Sequence, residues 1–159
     1  LTFWPKRFDL STQEGDNSSW CNGTAGFTLL WTEAFAATKD AQWLELARET
    51  ATHTLSHHDT SITLCCGLAG RAYALATLFA VSGEDEWLEA AYDCLRRAKP
   101  EPRHVGGFPH SLFKGDLGLE LAELELRKPS AIVFPTLASK MYGEPLPIAP
   151  LVAGPEAQK

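Results

Sequence analysis

The sequence predicts an all-α fold, read as an incomplete part of an α/α toroid in which inner/outer helix pairs repeat around an axis. Three observations carry that expectation. Shifting the chain by 44 residues superposes 21–47 on 65–91 without a gap. Each copy holds two segments of helical period, and no stretch shows a convincing period-2 strand pattern. Repeats of this length with two helices apiece are the mark of helical-pair arrays, in which each unit buries its apolar face against its neighbours.

The match between copies is residue by residue. Cys21, Gly23, Ala25 and Gly26 meet Cys65, Gly67, Ala69 and Gly70, and Phe35, Ala36, Trp43, Leu44, Glu45 and Ala47 meet Phe79, Ala80, Trp87, Leu88, Glu89 and Ala91. In each unit the first helix, 25–37 or 69–82, is nearly all apolar or small, which suits an inner position buried on most sides. The second, 40–56 or 84–98, opens on acidic residues (Asp40; Glu84, Asp85, Glu86). The second copy closes on Arg96, Arg97 and Lys99, so its charges complement the helix dipole as an outer, half-solvated helix would. Segment 100–111 is a Pro/Gly loop. A fainter third copy follows at "LFKGDLGLELAELEL", with Gly115 and Gly118 lying 48 residues beyond Gly67 and Gly70, and without cysteine. The toroid portion spans 1–142, and 143–159, rich in Pro and Gly, reads as an extended tail.

Composition narrows the function classes. With 159 residues, 45% hydrophobic and 21% charged, the chain has apolar material for one soluble core. A formal charge of -6 with no Lys/Arg cluster longer than a pair argues against nucleic acid, and no apolar run approaches the ~18 residues of a membrane span. The first residue is Leu1 and no signal-peptide pattern opens the chain, so something upstream is expected to be missing. Vicinal Cys65 and Cys66, with Cys21 and Cys94, make a poor disulfide framework, and reduced thiols in the cytoplasm fit better.

Cys21, Cys65 and Cys66 each stand just before a Gly-x-x-Gly turn that leads into an inner helix. Helix N-termini favour thiolate over thiol. If equivalent turns gather at one end of a toroid, the three converge, and three protein ligands with an open fourth position suit a catalytic zinc. The glycines would then let backbone pass close to the metal. Plain packing is the competing reading, since cysteine and small residues are common where helices cross. Trp20 is expected to pack beside the metal as supporting structure. His110, preceding the third turn, is the candidate catalytic acid. Lys114 and Asp116, in the cysteine-free turn, read as a loop salt bridge or as contacts to a peptide. His53, His57 and His58 read as helix-end or solvated histidines, Trp43 and Trp87 as packing anchors, and Cys94 as a buried thiol.

Together "SWCNGTAG", "LCCGLAG" and "HSLFKGDLGLELAELELRKP" resemble the carboxy-terminal part of the lanthionine synthetase cyclase (LanC-like) family, in its variant with Cys-Cys-Gly in place of Cys-His-Gly. The resemblance covers roughly residues 15 to 135, with the motifs in family order. It implies an α/α toroid that binds one Zn²⁺ through the positions matching Cys21, Cys65 and Cys66. It also implies a reaction in which a cysteine thiol of a dehydrated precursor peptide adds to dehydroalanine or dehydrobutyrine, closing a thioether ring. The family's acid/base residues precede the first cysteine motif, and no position here matches them. Part of a ring exposes apolar inner helices, so missing sequence, a complementary chain or self-association is expected. The alternative is a LanC-like domain that binds zinc and a peptide or a thiol such as glutathione without making rings. A carbohydrate-active α/α barrel ranks last, because it needs paired carboxylates at the reactive end and most Asp/Glu fall on outer helices.

Overall fold

In the computed structural model, residues 17–56, 61–98, 110–129 and 132 are described. They form five helices, α1 (Thr24–Thr38), α2 (Ala41–Leu55), α3 (Leu68–Ser82), α4 (Asp85–Arg97) and α5 (Leu117–Glu125), and contain no strand. The chain is all-α, as the repeat predicts. The tail 143–159, most of the 100–111 loop, and His57, His58 and Lys99 lie outside the described residues.

Helix ends repeat as faithfully as the sequence does. α1 and α3 each stop at a left-handed residue, Lys39 (φ 61°) and Gly83 (φ 73°), whose N–H returns to the carbonyl of Phe35 or Phe79 at 2.8 Å. Glycine holds that conformation without strain, whereas lysine does so against its Cβ. At the start of α2, Asp40 caps by accepting from the Gln42 N–H at 3.1 Å. Its counterpart Glu84 does not cap α4. Its carboxylate instead accepts from Trp87 Nε1 at 2.7 Å and from Arg48 Nε of α2 at 3.0 Å, tying the two outer helices together.

α3 lies at the centre, touching α1 on one side and α5 on the other, while α2 backs α1 and α4 backs α3. This is the inner/outer layering that the helix composition predicts. Every residue of α3 from Leu68 to Leu78 is buried. α1 differs from its sequence-matched partner: Phe27, Trp31 and Phe35 are half-buried and Leu30 is 51% exposed. Among the described residues α1 has an inner neighbour on one flank, so its apolar composition is matched by burial on that flank and on the face toward α2.

The two pairs solve the same interface with different chemistry. Between α1 and α2, Thr28 Oγ1 donates to Thr50 Oγ1 at 3.0 Å and Thr54 Oγ1 donates to Thr24 Oγ1 at 2.8 Å, all buried. The residues 44 further on, Ala72, Cys94, Ala98 and Leu68, bury apolar surface at the matching places. Cys94 is therefore the packing counterpart of Thr50, consistent with a buried thiol, and burial raises its pKa. Trp43 stacks on Trp31 at 5.3 Å between centroids, and Trp87 is buried in the core.

Candidate metal centre

The turns ahead of α1, α3 and α5 are stitched into a ladder. The N–H groups of Trp20 and Cys21 donate to the Cys65 carbonyl at 3.1 and 3.3 Å, and the Cys65 N–H donates to the Phe113 carbonyl at 2.8 Å. Cys65 lies 44 residues beyond Cys21, and Phe113 lies 48 beyond Cys65, so each rung joins equivalent positions of successive repeats. Trp20 reaches across the ladder and stacks on Phe113 at 5.4 Å between ring centroids. It thus braces the first turn against the third.

The Gly-x-x-Gly turns make this stacking of turns possible, though not in the way the sequence suggests. A Cβ on Gly26, Gly70 or Gly118 would come within 3.0 Å of the carbonyl oxygen six residues upstream, of Trp20, Leu64 and Leu112 respectively. Gly23 and Gly67 stand in the same relation to Asn17 and Ser61. The close approach is between the helix start and its own incoming loop. That approach folds each turn back over its helix and turns the cysteines outward at the end of the layer.

There, Sγ of Cys21 lies 3.8 Å from Sγ of Cys66, and Sγ of Cys66 lies 3.3 Å from Sγ of Cys65. All three sulfurs fall within 4.8 Å of one another, and no disulfide joins them. Sulfurs at corners of a tetrahedron with zinc–sulfur bonds of ~2.3 Å are roughly 3.8 Å apart. The group could therefore hold a metal ion, and the donor set suits a thiophilic one such as zinc. Cys21 and Cys66 are exposed and Cys65 is partly so, which leaves an outer side accessible to a further ligand.

Electrostatically the three thiols are unequal. Partial burial works against the Cys21 thiolate, but hydrogen bonding by Ser19, Cys65 and Cys66 outweighs it and holds the thiol below its ordinary value. Burial pushes the Cys65 thiol up to about 12, reinforced by Cys66 and Cys21, and burial likewise raises Cys66. Hydrogen bonds account for the lowering at Cys21, and burial keeps Cys65 and Cys66 from sharing it. At both Cys65 and Cys66 burial is the largest cause, and the charge of a neighbouring sulfur adds to it.

Several side chains that the sequence reading missed complete the surroundings. Ser19 Oγ is 3.6 Å from Cys21 Sγ and donates to Asn22 Oδ1 at 2.7 Å, while Cys21 Sγ itself donates to Asn22 Oδ1 at 3.5 Å. Asn17 joins through Nδ2, donating to Asn22 Oδ1 at 2.6 Å. In the second turn the Cys66 N–H donates to Thr63 Oγ1 at 3.3 Å. Ser19 and Thr63 are 44 residues apart, so a hydroxyl two places before each turn's cysteine was a readable signal.

The other candidates divide. Trp20 lies against the ladder and lines a cleft of about 470 Å³ beside Cys21, with Asn22, Phe27 and Leu30. His110 is exposed at the start of the third turn and does not belong to the sulfur group. His53 sits half-buried in the last turn of α2. No helix among the described residues is long and apolar enough to cross a membrane.

Repeated inner/outer helix pairs, with three thiols gathered where the inner helices begin, define a class of all-α protein with a sulfur-lined site that could hold a metal. The family model described as Lanthionine synthetase C-like protein matches residues 2–138. The chain belongs to that family.

Proposed function

We propose that the chain is the metal-bearing part of a cytoplasmic lanthionine-forming cyclase, with Cys21, Cys65 and Cys66 as ligands of one zinc ion. The observation that carries this reading is the convergence of three sulfurs from two turns 44 residues apart, at spacings that suit tetrahedral ligation. Three free thiols kept for a metal also fit a reducing compartment.

Zinc held there would supply the Lewis acidity that keeps a peptide thiol deprotonated near neutral pH. The chain's own residues do the rest. Ser19 Oγ stands 3.6 Å from Cys21 Sγ, and the Trp20–Phe113 stack and the backbone ladder fix the turns relative to one another. The cleft lined by Trp20, Phe27 and Leu30 gives an apolar seat for peptide beside Cys21. In the reaction the thiol's S–H bond is lost, a carbon–sulfur bond forms at the β-carbon of the dehydro residue, and a proton is delivered to its α-carbon. His110 is our candidate for that delivery, since it opens the turn whose Phe113 carbonyl bonds Cys65.

The assay is incubation with a dehydrated peptide carrying one cysteine, followed by thiol alkylation and mass spectrometry. Loss of alkylatable cysteine with no change in peptide mass is the expected result. Metal-dependent binding of the peptide without that loss would identify the non-catalytic zinc and thiol binder instead.

A further inference from the structure

The two flanks of the sulfur group are chemically opposite. On the first-turn side Cys21 opens on the cleft walled by Trp20, Phe27 and Leu30. On the third-turn side stands Lys114, at the position that Cys66 holds in the second turn and Asn22 in the first. The Cys65–Phe113 backbone bond fixes the third turn against the second, and the Lys114 backbone is itself held by donation to Ser111 Oγ at 3.1 Å. The side chain is exposed. Lys114 directly follows Phe113, whose carbonyl accepts from the Cys65 N–H at 2.8 Å, so its backbone stands beside the turn that carries Cys65 and Cys66.

Three thiolates around a divalent ion leave a net charge of about -1, which repels any further anion that approaches. A cation on one flank reverses that preference locally, and an apolar wall on the other does nothing for a charge. We propose that Lys114 is a specificity-determining residue of this centre, and that the thiol it admits carries a carboxylate close to its sulfur. In a peptide this is an acidic residue beside the reacting cysteine. The inference rests on the metal reading above and adds the chemical class of the ligand.

The test uses the full chain loaded with Co²⁺ and two thiols of matched size, 3-mercaptopropionate and 3-mercaptopropionamide. Binding is followed by the sulfur-to-cobalt charge-transfer band. The ratio of the two dissociation constants should favour the carboxylate thiol in the wild type by about two- to five-fold relative to Lys114→Ala, the scale of a partly screened ion pair. Lys114→Arg should retain the preference, and salt at about 0.5 M should narrow it. An identical ratio in the wild type and Lys114→Ala overturns the inference while leaving the metal centre standing. Failure of the wild type to develop the cobalt–thiolate band overturns both.

Discussion

Cys21 takes its character from the side chains beside it. Its thiol is held low by Ser19 and its sister cysteines, against the burial that raises Cys65 and Cys66. Ser19→Ala removes that hydroxyl from the ligand's surroundings and leaves every sulfur in place. It should weaken zinc binding about 10- to 100-fold, as loss of outer-shell partners does, with the helical circular dichroism unchanged. Competition against a chromophoric chelator measures it, and an unaltered affinity would show that Ser19 does not support the ligand. The cysteines themselves were legible in the sequence, because Cys21 and Cys65 recur with the repeat. Asn17 and Asn22 were not, because their partners come from within one turn and leave no periodic trace.

Turns and helix ends carry the geometry that brings the cysteines together. Gly70 lies in the first turn of α3, where an added Cβ would stand 2.1 Å from the Leu64 carbonyl oxygen and 3.2 Å from the Trp20 side chain, so Gly70→Ala should destabilise by about 1–3 kcal/mol in urea unfolding. A milder loss would mean that the second turn can shift without cost. Gly83 has open space around it, yet its φ of 73° makes Gly83→Ala unfavourable by about 1 kcal/mol for a conformational reason alone. Its repeat partner Lys39 holds φ 61° as a non-glycine residue, so Lys39→Gly should stabilise the chain by up to about 1 kcal/mol. The 44-residue repeat made both helix pairs readable nearly to their ends, since identical residues recur at identical helical positions. The reason for the Gly-x-x-Gly pattern was not readable. It depends on a carbonyl six residues upstream, and a one-dimensional pattern cannot show a chain folding back on itself. Nor could it show that Glu84, matched to the capping Asp40, would turn away to meet Arg48.

Across the molecule, inner and outer helices contribute to one core, and an ion pair links the two outer helices. Arg48 bridges Glu45 in its own helix and Glu84 at the head of α4, the latter through Nε at 3.0 and 3.1 Å and Nη2 at 2.5 Å. Hydrogen bonds from Arg48 pull the Glu84 carboxyl below its ordinary value near 4.5. Because the folded-state pKa is depressed, the contribution to stability is present above that ordinary value and is lost as the pH falls through the folded one. Both side chains are 32% exposed, so screening limits the pair to about 1 kcal/mol. Glu84→Gln should therefore lower stability at neutral pH by about that amount, and thermal melts of the two proteins should converge in acid. A gap that persists at low pH would assign the loss to the Trp87 hydrogen bond instead. The same assembly of layers delivers the first and second turns to one end, where Cys21 and Cys66 meet at 3.8 Å. Zinc content per folded chain, measured after gel filtration from zinc-replete buffer for the wild type and for Cys66→Ala, tests that meeting most directly. About one equivalent in the wild type, with a large loss in the variant, is the predicted result. A folded wild type that carries no stoichiometric zinc, or a Cys66→Ala protein that keeps it, would contradict the account.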